Sequence, residues 1–277
     1  MEPAIQGCSF MAVYDEIGIG YDETRKADPY IASRIIHYLD IDDEGIYLDV
    51  ACGTGNYTVA LAERTGAAFY GVDVSEHMLG IAVKKSREIY WSLGDACSLP
   101  YRDDTFSGAM SILTVHHFED LGAAFGELFR VLSRGRLVIF TADKQQMEGY
   151  WLNEYFPETM RRSTANMPDI AEVTLALRAA GFERIVTELY EVKPDLQDWF
   201  MYCGKHDPEM YLSPAIRKGS SDFAKFGDKD EVERGLDRLA RDIASGRIDE
   251  VAASYRNDYG DYAFVVAEKI GKSEEAR

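Results

Sequence analysis

The stretch Ile46-Tyr47-Leu48-Asp49-Val50-Ala51-Cys52-Gly53-Thr54-Gly55-Asn56 decides the fold. Ile46 to Val50 is a short apolar run of the kind a doubly covered parallel strand needs, and it ends in a glycine-rich turn. Asn56 to Arg64 follows as a helix with Val59, Ala60 and Ala62 on its packing side. Working outward, the strand-helix alternation repeats. Ala68 to Val72 predicts a second strand and Glu76 to Lys85 a helix; Ile89 to Leu93 and Ser107 to Leu113 predict strands three and four. A helix over Leu121 to Leu132 and a strand over Arg136 to Thr141 complete the series. Consecutive β-α-β crossovers are right-handed, so the pattern predicts a doubly wound α/β sheet.

The flanks are less regular. Upstream, a helix is expected over Pro29 to Tyr38. Downstream, Ala171 to Ala180 reads as a helix stopped by Gly181, Arg184 to Val192 as a strand, and Ala263 to Lys269 as the last strand. About seventy residues separate those two strands, too many for a bare loop in a compact domain. Within them Val232, Leu236, Leu239 and Ile243 recur at helical spacing before Gly246, so the insertion is expected to be a helical lid. Residues 143–168 form a second insertion. The expected organisation is a helical segment over 1–44, an α/β domain over 45–193 and 258–271, the insertion over 194–257, and a flexible tail over 272–277.

Composition narrows the partners. The 277 residues carry 30 Lys and Arg against 48 Asp and Glu, a net charge of −18, with 46% apolar and 12% aromatic residues. A protein that grips nucleic acid by counterion release needs clustered cations, so nucleic acid is a poor partner. Residues 1–45 hold ten acidic and three basic side chains, and most of this surplus reads as surface solubility. No run of 18 apolar residues could span a membrane. Met1 to Phe10 lacks the basic-then-apolar pattern of a signal peptide, and Cys8, Cys52, Cys97 and Cys203 form no CxxC pair. A reducing cytoplasm is therefore the default, and oligomeric state is unreadable.

Gly53 and Gly55 let the backbone approach a ligand, and the helix N-terminus beyond them offers free N–H groups. Asp73 ends the second strand, where a carboxylate accepts hydrogen bonds from ribose hydroxyls. Three details separate the candidate ligands. Thr58 stands where a GxGxxG dinucleotide site wants a third Gly or Ala. Asp49 would repel a pyrophosphate but welcome a sulfonium or an amino group. Asp95, in Gly94-Asp95-Ala96, is within reach of an adenine amino group. The set fits S-adenosylmethionine better than NAD, which leaves an NAD-dependent oxidoreductase disfavoured.

The chain resembles the class I S-adenosylmethionine-dependent methyltransferases, of the ubiquinone/menaquinone-biosynthesis type. The matching residues are LDVACGTG (48–55), GVDVSEHML (71–79), GDACSLPYRDDTFSGAMSILTVHHFED (94–120) and GDYAFVVAEK (260–269). The resemblance implies a seven-stranded, mostly parallel sheet whose last strand is antiparallel. It implies that Asp49, Ala51, Gly53 and Gly55 cradle the methionine part, that Asp73 binds ribose beside Val74, and that Met78 packs on the adenine. Asp95 and Ala96 would hold the adenine edge and Ser111 the methionine side. Ala51 departs from the family's more frequent Gly, and its methyl is small enough for binding to survive. Tyr21-Asp22-Glu23-Thr24-Arg25 resembles a Tyr-x-x-x-Arg element that closes over the cofactor, with Arg25 placed to pair with the methionine carboxylate; a solvated turn is the alternative.

Methyl transfer from a sulfonium is an in-line displacement that chiefly needs alignment. His116 or His117, after the fourth strand, could take a proton from a phenol or carbon acid; the alternative is a structural turn capped by Glu119 or Asp120. Cys52 and Cys97 flank the expected pocket. Trivalent arsenic wants about three soft ligands, however, so these thiols read as packing residues and no metal is expected. Tyr150, Trp151, Tyr155, Phe156, Trp199, Phe200, Tyr202 and Tyr211 crowd the insertions, either as walls over a small acceptor or as the insertions' own core. Methylation of a small-molecule acceptor at O, N or C, with S-adenosylhomocysteine as product, is the reading favoured here; a non-catalytic S-adenosylmethionine-binding module is the alternative.

Overall fold

A computed structural model describes residues 20–271. The expected leader-free N-terminus, Cys8 and the 272–277 tail lie outside the described residues. The chain forms two compact units, one of residues 27–141, 168–188 and 263–271, the other of residues 20–26, 142–167 and 189–262.

The first unit is built on a seven-stranded sheet. Its strands are β1 (Ile46–Val50), β2 (Ala68–Asp73), β3 (Tyr90–Leu93), β4 (Phe106–Ile112), β5 (Leu132–Thr141), β6 (Glu183–Tyr190) and β7 (Tyr262–Lys269), in the order β3-β2-β1-β4-β5-β7-β6. β1 pairs parallel with β2 on one side and β4 on the other, while β7 runs antiparallel to β5 from Gly135↔Lys269 to Thr141↔Ala263. This is the expected doubly wound architecture. The chain runs outward from β1 to β3 and then crosses back to β4, so the carboxyl ends of β1 and β4 diverge at a switch point, the usual place for a ligand.

Five helices flank the sheet: α1 (Pro29–Leu39), α2 (Asn56–Thr65), α3 (Glu76–Lys85), α4 (Leu121–Val131) and α5 (Ile170–Ala180). Their starts are chemically marked. The Asp28 carboxylate accepts from the amides of Tyr30 and Ile31 with Pro29 at the first position, Ser75 accepts from Met78 N–H, and Asp120 from Ala123 N–H, each cap contributing about 1 kcal/mol. Leu48, Val50, Phe106, Phe125, Leu137 and Val265 are among the apolar side chains buried between these layers. One boundary differs from the sequence reading. β5 begins at Leu132 rather than Arg136, because α4 passes into the strand without a loop and a register shift between Phe106 and Gly108 absorbs the polar Ser133 and Arg134. Polar residues at a bulge leave no apolar signal to read.

In the second unit the longest helix is Lys229–Ser245, ended by Gly246 at φ 77° as its spacing predicts. Its Glu231 carboxylate accepts from the amides of Glu158 and Thr159, at 2.6 and 3.0 Å, and so caps the helix Pro157–Ala165. Of the aromatic residues expected in the insertions, Trp199 is exposed and the others form part of this unit's interior. Tyr150 stacks on Tyr202 with ring centroids 3.7 Å apart, Trp151 meets Tyr155 and Tyr211 edge-on, and Phe156 meets Phe223. Tyr211 donates to the Met201 carbonyl at 2.7 Å, so the hydrogen between its hydroxyl and that of Tyr150, 2.9 Å away, comes from Tyr150.

Candidate active site

β1 ends in a turn whose backbone is largely left-handed: φ is 58° at Ala51, 55° at Gly53 and 73° at Gly55. Cys52 N–H donates to Val72 O, and Gly55 N–H to Cys52 O, which closes the turn against β2. Gly55 is itself the N-cap of α2 and has no side chain with which to cap it. A Cβ on Gly55 would lie 2.3 Å from the Trp91 ring, so crowding as well as its positive φ restricts the position to glycine. At Gly53 a Cβ would meet only Met78, at 3.6 Å, which leaves the approach open.

Two buried carboxylates face this turn. Asp73, 9% exposed, accepts from Gly53 N–H at 2.8 Å and from Ser75 N–H at 2.9 Å. Burial raises its pKa while those amides oppose the rise. Asp49, 3% exposed, accepts from the Thr58 hydroxyl at 2.6 Å. Burial pushes it up to about 7; the Thr58 bond opposes the rise and the nearby Asp73 charge adds to it. The threonine that replaces a dinucleotide-type glycine is thus the partner of the carboxylate that would repel a pyrophosphate, a pairing the sequence reading missed. Mutually repelling buried carboxylates beside an open glycine turn suit a ligand that combines positive charge with hydroxyl donors. S-adenosylmethionine has both.

The other expected positions gather around these. Met78 is buried with its methyl toward Gly53, and Val74 is exposed at the β2–α3 junction. Asp95 follows β3 and accepts from Cys97 N–H at 2.8 Å, with Ala96 buried beside it. Ser111 is fully buried near the end of β4, its hydroxyl bonded to that of Thr114. Between them Leu113 takes φ 56° and donates its N–H to Phe140 O at 2.7 Å. His116 and His117 follow in a single 3₁₀ turn, half-buried, with ring centroids 3.8 Å apart. The Asp120 side chain is committed to capping α4.

Tyr21 and Arg25 belong to the other unit. There the Arg25 guanidinium donates to both oxygens of Asp198, at 2.5 and 3.3 Å, and lies over the Tyr21 ring. Burial raises the thiol pKa of Cys52 and of Cys97 and pushes that of Cys203 up to about 12, so all three are thiols near neutrality and poor soft-ion ligands. Among the described residues no three His, Cys, Asp or Glu side chains are grouped to hold a metal.

Known proteins carry the same pattern. Residues 48–140 match the family described as Methyltransferase domain. A solved structure of a putative methyltransferase from an antibiotic biosynthesis pathway of Anabaena variabilis is 31% identical, over 88% of this chain and 98% of that one, with a TM-score of 0.79. Methyltransferase GfsG of Streptomyces halstedii is 32% identical over 139 residues, 45% of this chain and half the length of that relative. The 2-phytyl-1,4-naphtoquinone methyltransferase of Thermosynechococcus vestitus is 28% identical over 174 residues, 54% of this chain and 77% of the relative. The chain belongs to the S-adenosylmethionine-dependent methyltransferases. Its cofactor is S-adenosylmethionine, which supplies the activated methyl group.

Proposed function

We propose that the protein moves a methyl group from S-adenosylmethionine to an O, N or C nucleophile of a small-molecule acceptor and releases S-adenosylhomocysteine. The observation that carries this reading is the Asp49–Gly53–Asp73 cluster, whose buried negative charge favours the cationic cofactor over its neutral-sulfur product. In this reading the α/β portion (45–193 with 258–271) binds the cofactor, the 194–257 insertion chooses the acceptor, and Tyr21 and Arg25 close the site. The relatives named for quinone substrates and for an antibiotic pathway support a small, largely apolar metabolite. The charge of −18 supports neither nucleic acid nor an anionic surface as partner. Among the described residues no helix is long and apolar enough to cross a membrane, and a cytoplasmic location accords with that.

His116 and His117 stand on the turn after β4, and one of them is the base wherever the acceptor must lose a proton. The test is a metabolite extract incubated with protein and methyl-labelled cofactor, alongside calorimetry with S-adenosylmethionine, S-adenosylhomocysteine and NAD. Label should enter a small molecule, and NAD should not bind. For an acidic acceptor, His116→Ala or His117→Ala should slow turnover about 100-fold with cofactor affinity intact. Failure of either adenosyl ligand to bind would overturn the reading; near-normal turnover by both variants would remove only the base.

A further inference from the structure

The glycine turn is also held by α3 and by Trp91. α3 begins beside the cofactor residues and ends, ten residues later, at Lys85. That ammonium donates to Thr54 Oγ1 at 2.9 Å and to Asn56 Oδ1 at 2.6 Å, the residues on either side of Gly55. Thr54 is buried, and Lys85 and Asn56 are half-buried. One residue further on, the Ser86 carbonyl accepts from the Trp91 indole N–H at 2.9 Å. The six-membered ring of Trp91 lies directly against Gly55 and also against Gly71 of β2, each of which would place a Cβ within 2.4 Å of it. At its other end α3 is fixed by Ser75, whose amide donates to Asp73 and whose hydroxyl accepts from Met78 N–H.

The α3 rod therefore touches both walls of the cofactor cleft: its first turn carries Met78 and neighbours Asp73, and its last residue holds Thr54 and Asn56. A ten-residue helix is about 15 Å long and stiff. We propose that Lys85 and Trp91 are positioning residues that hold the Gly53–Asn56 turn at the right spacing from Asp73 and Met78, and so set cofactor affinity without touching the cofactor. This rests on the cofactor reading above and goes beyond it, because neither residue belongs to the glycine turn or to the carboxylate pair. The placement also explains a half-buried cation close to a site built for a cationic ligand. The ammonium directs two of its three donors to the residues that flank Gly55, and its work there is geometric.

Affinity for the two adenosyl ligands separates geometry from charge. Lys85→Met should weaken S-adenosylmethionine and S-adenosylhomocysteine about tenfold each and in parallel, and Lys85→Arg, which keeps donors in reach, should recover most of the loss. Trp91→Phe keeps a ring but loses the indole donor, and about a threefold parallel loss is expected. Calorimetry on the full chain with both ligands reads this out, with thermal unfolding as the control for general damage. Affinities within twofold of wild type in a folded Lys85→Met protein would overturn the proposal. So would selective tightening of S-adenosylmethionine, which would mean that Lys85 acts by charge. If Lys85→Met does not fold, Asn56→Ala removes one acceptor at the first helical position, where alanine is a good helix former. It should cost about threefold for both ligands, and no change would count against the proposal. A wild-type protein that binds neither ligand would overturn the cofactor reading itself and this inference with it.

Discussion

Both units bury aspartates, and they treat them in opposite ways. In the helical unit Asp198, 1% exposed, is met by the Arg25 guanidinium at 2.5 Å, and Asp261 by the Lys205 ammonium at 2.6 Å and Val192 N–H at 2.7 Å. In the sheet unit Asp49 and Asp73 are met, among the described residues, by a threonine hydroxyl and backbone amides, and they repel one another. Burying a carboxylate without a cation is costly. Among the described residues the helical unit meets its buried acids with cations and the sheet unit leaves a pair without one, the arrangement on which the proposed binding of a cationic cofactor rests.

The largest effect should come from breaking the paired kind. Asp198→Ala removes the carboxylate to which the Arg25 guanidinium, only 15% exposed at the side chain, donates. Breaking a buried pair of this kind costs about 3–5 kcal/mol. Thermal unfolding should show the loss, and Arg25→Met in the same protein should restore part of it. A double variant no more stable than Asp198→Ala would mean that the pair is not the source.

The unpaired kind should respond to pH instead. The Asp49 carboxyl is pushed up to about 7, above the ordinary carboxylate range. The folded cofactor-free protein therefore holds a proton there that the unfolded chain has already released. Wherever the folded state binds more protons, stability falls as pH rises. Between pH 6 and pH 8 the loss attributable to Asp49 is about 1 kcal/mol, and Asp49→Asn should flatten it. Ionisation in the same window should raise affinity for S-adenosylmethionine more than for S-adenosylhomocysteine. Denaturation midpoints and calorimetry at three pH values check both slopes. A wild-type stability that rises with pH to the same degree as that of Asp49→Asn would show Asp49 already ionised at pH 6.

The same contrast explains what could be read in advance. In the sheet unit the strands β1, β2 and β4 are mostly apolar runs ended by turns, and Asp49, Gly53, Gly55 and Asp73 lie at or just beyond strand ends, where chain order alone puts them together. Signals of that kind are local. What escaped was pairing at a distance: Thr58 on Asp49, Lys85 on Thr54 and Asn56, Leu113 in a left-handed turn. In the helical unit nearly everything is of that second kind. Glu231 caps a helix more than seventy positions earlier, and Tyr150 meets Tyr202 and Tyr211 from another insertion. The long helix was legible because Val232, Leu236, Leu239 and Ile243 repeat on one face. Its partners were not, since an isolated tyrosine announces neither its stacking ring nor its acceptor.

Backbone strain draws the same line between the units, and its test is the smallest effect. Among the described residues the five non-glycine positions with positive φ are Asp40, Ala51, Asp104, Leu113 and Arg184, all in the sheet unit. Two of them, Ala51 and Leu113, directly follow β1 and β4 at the switch point, where the ligand site is proposed. Ala51 is the position at which the family resemblance implies glycine, and its φ of 58° supplies a physical reason for one. A left-handed alanine costs about 1–2 kcal/mol relative to the ordinary conformation. Replacing it with glycine removes that cost and returns about 0.4–1 kcal/mol through the greater freedom of the unfolded chain. Ala51→Gly should therefore stabilise the protein by about 0.5–1 kcal/mol and leave affinity for S-adenosylmethionine within twofold. Chemical denaturation with the slope held constant measures the first, calorimetry the second. A loss of stability would mean that the Ala51 methyl contributes packing worth more than the strain it imposes.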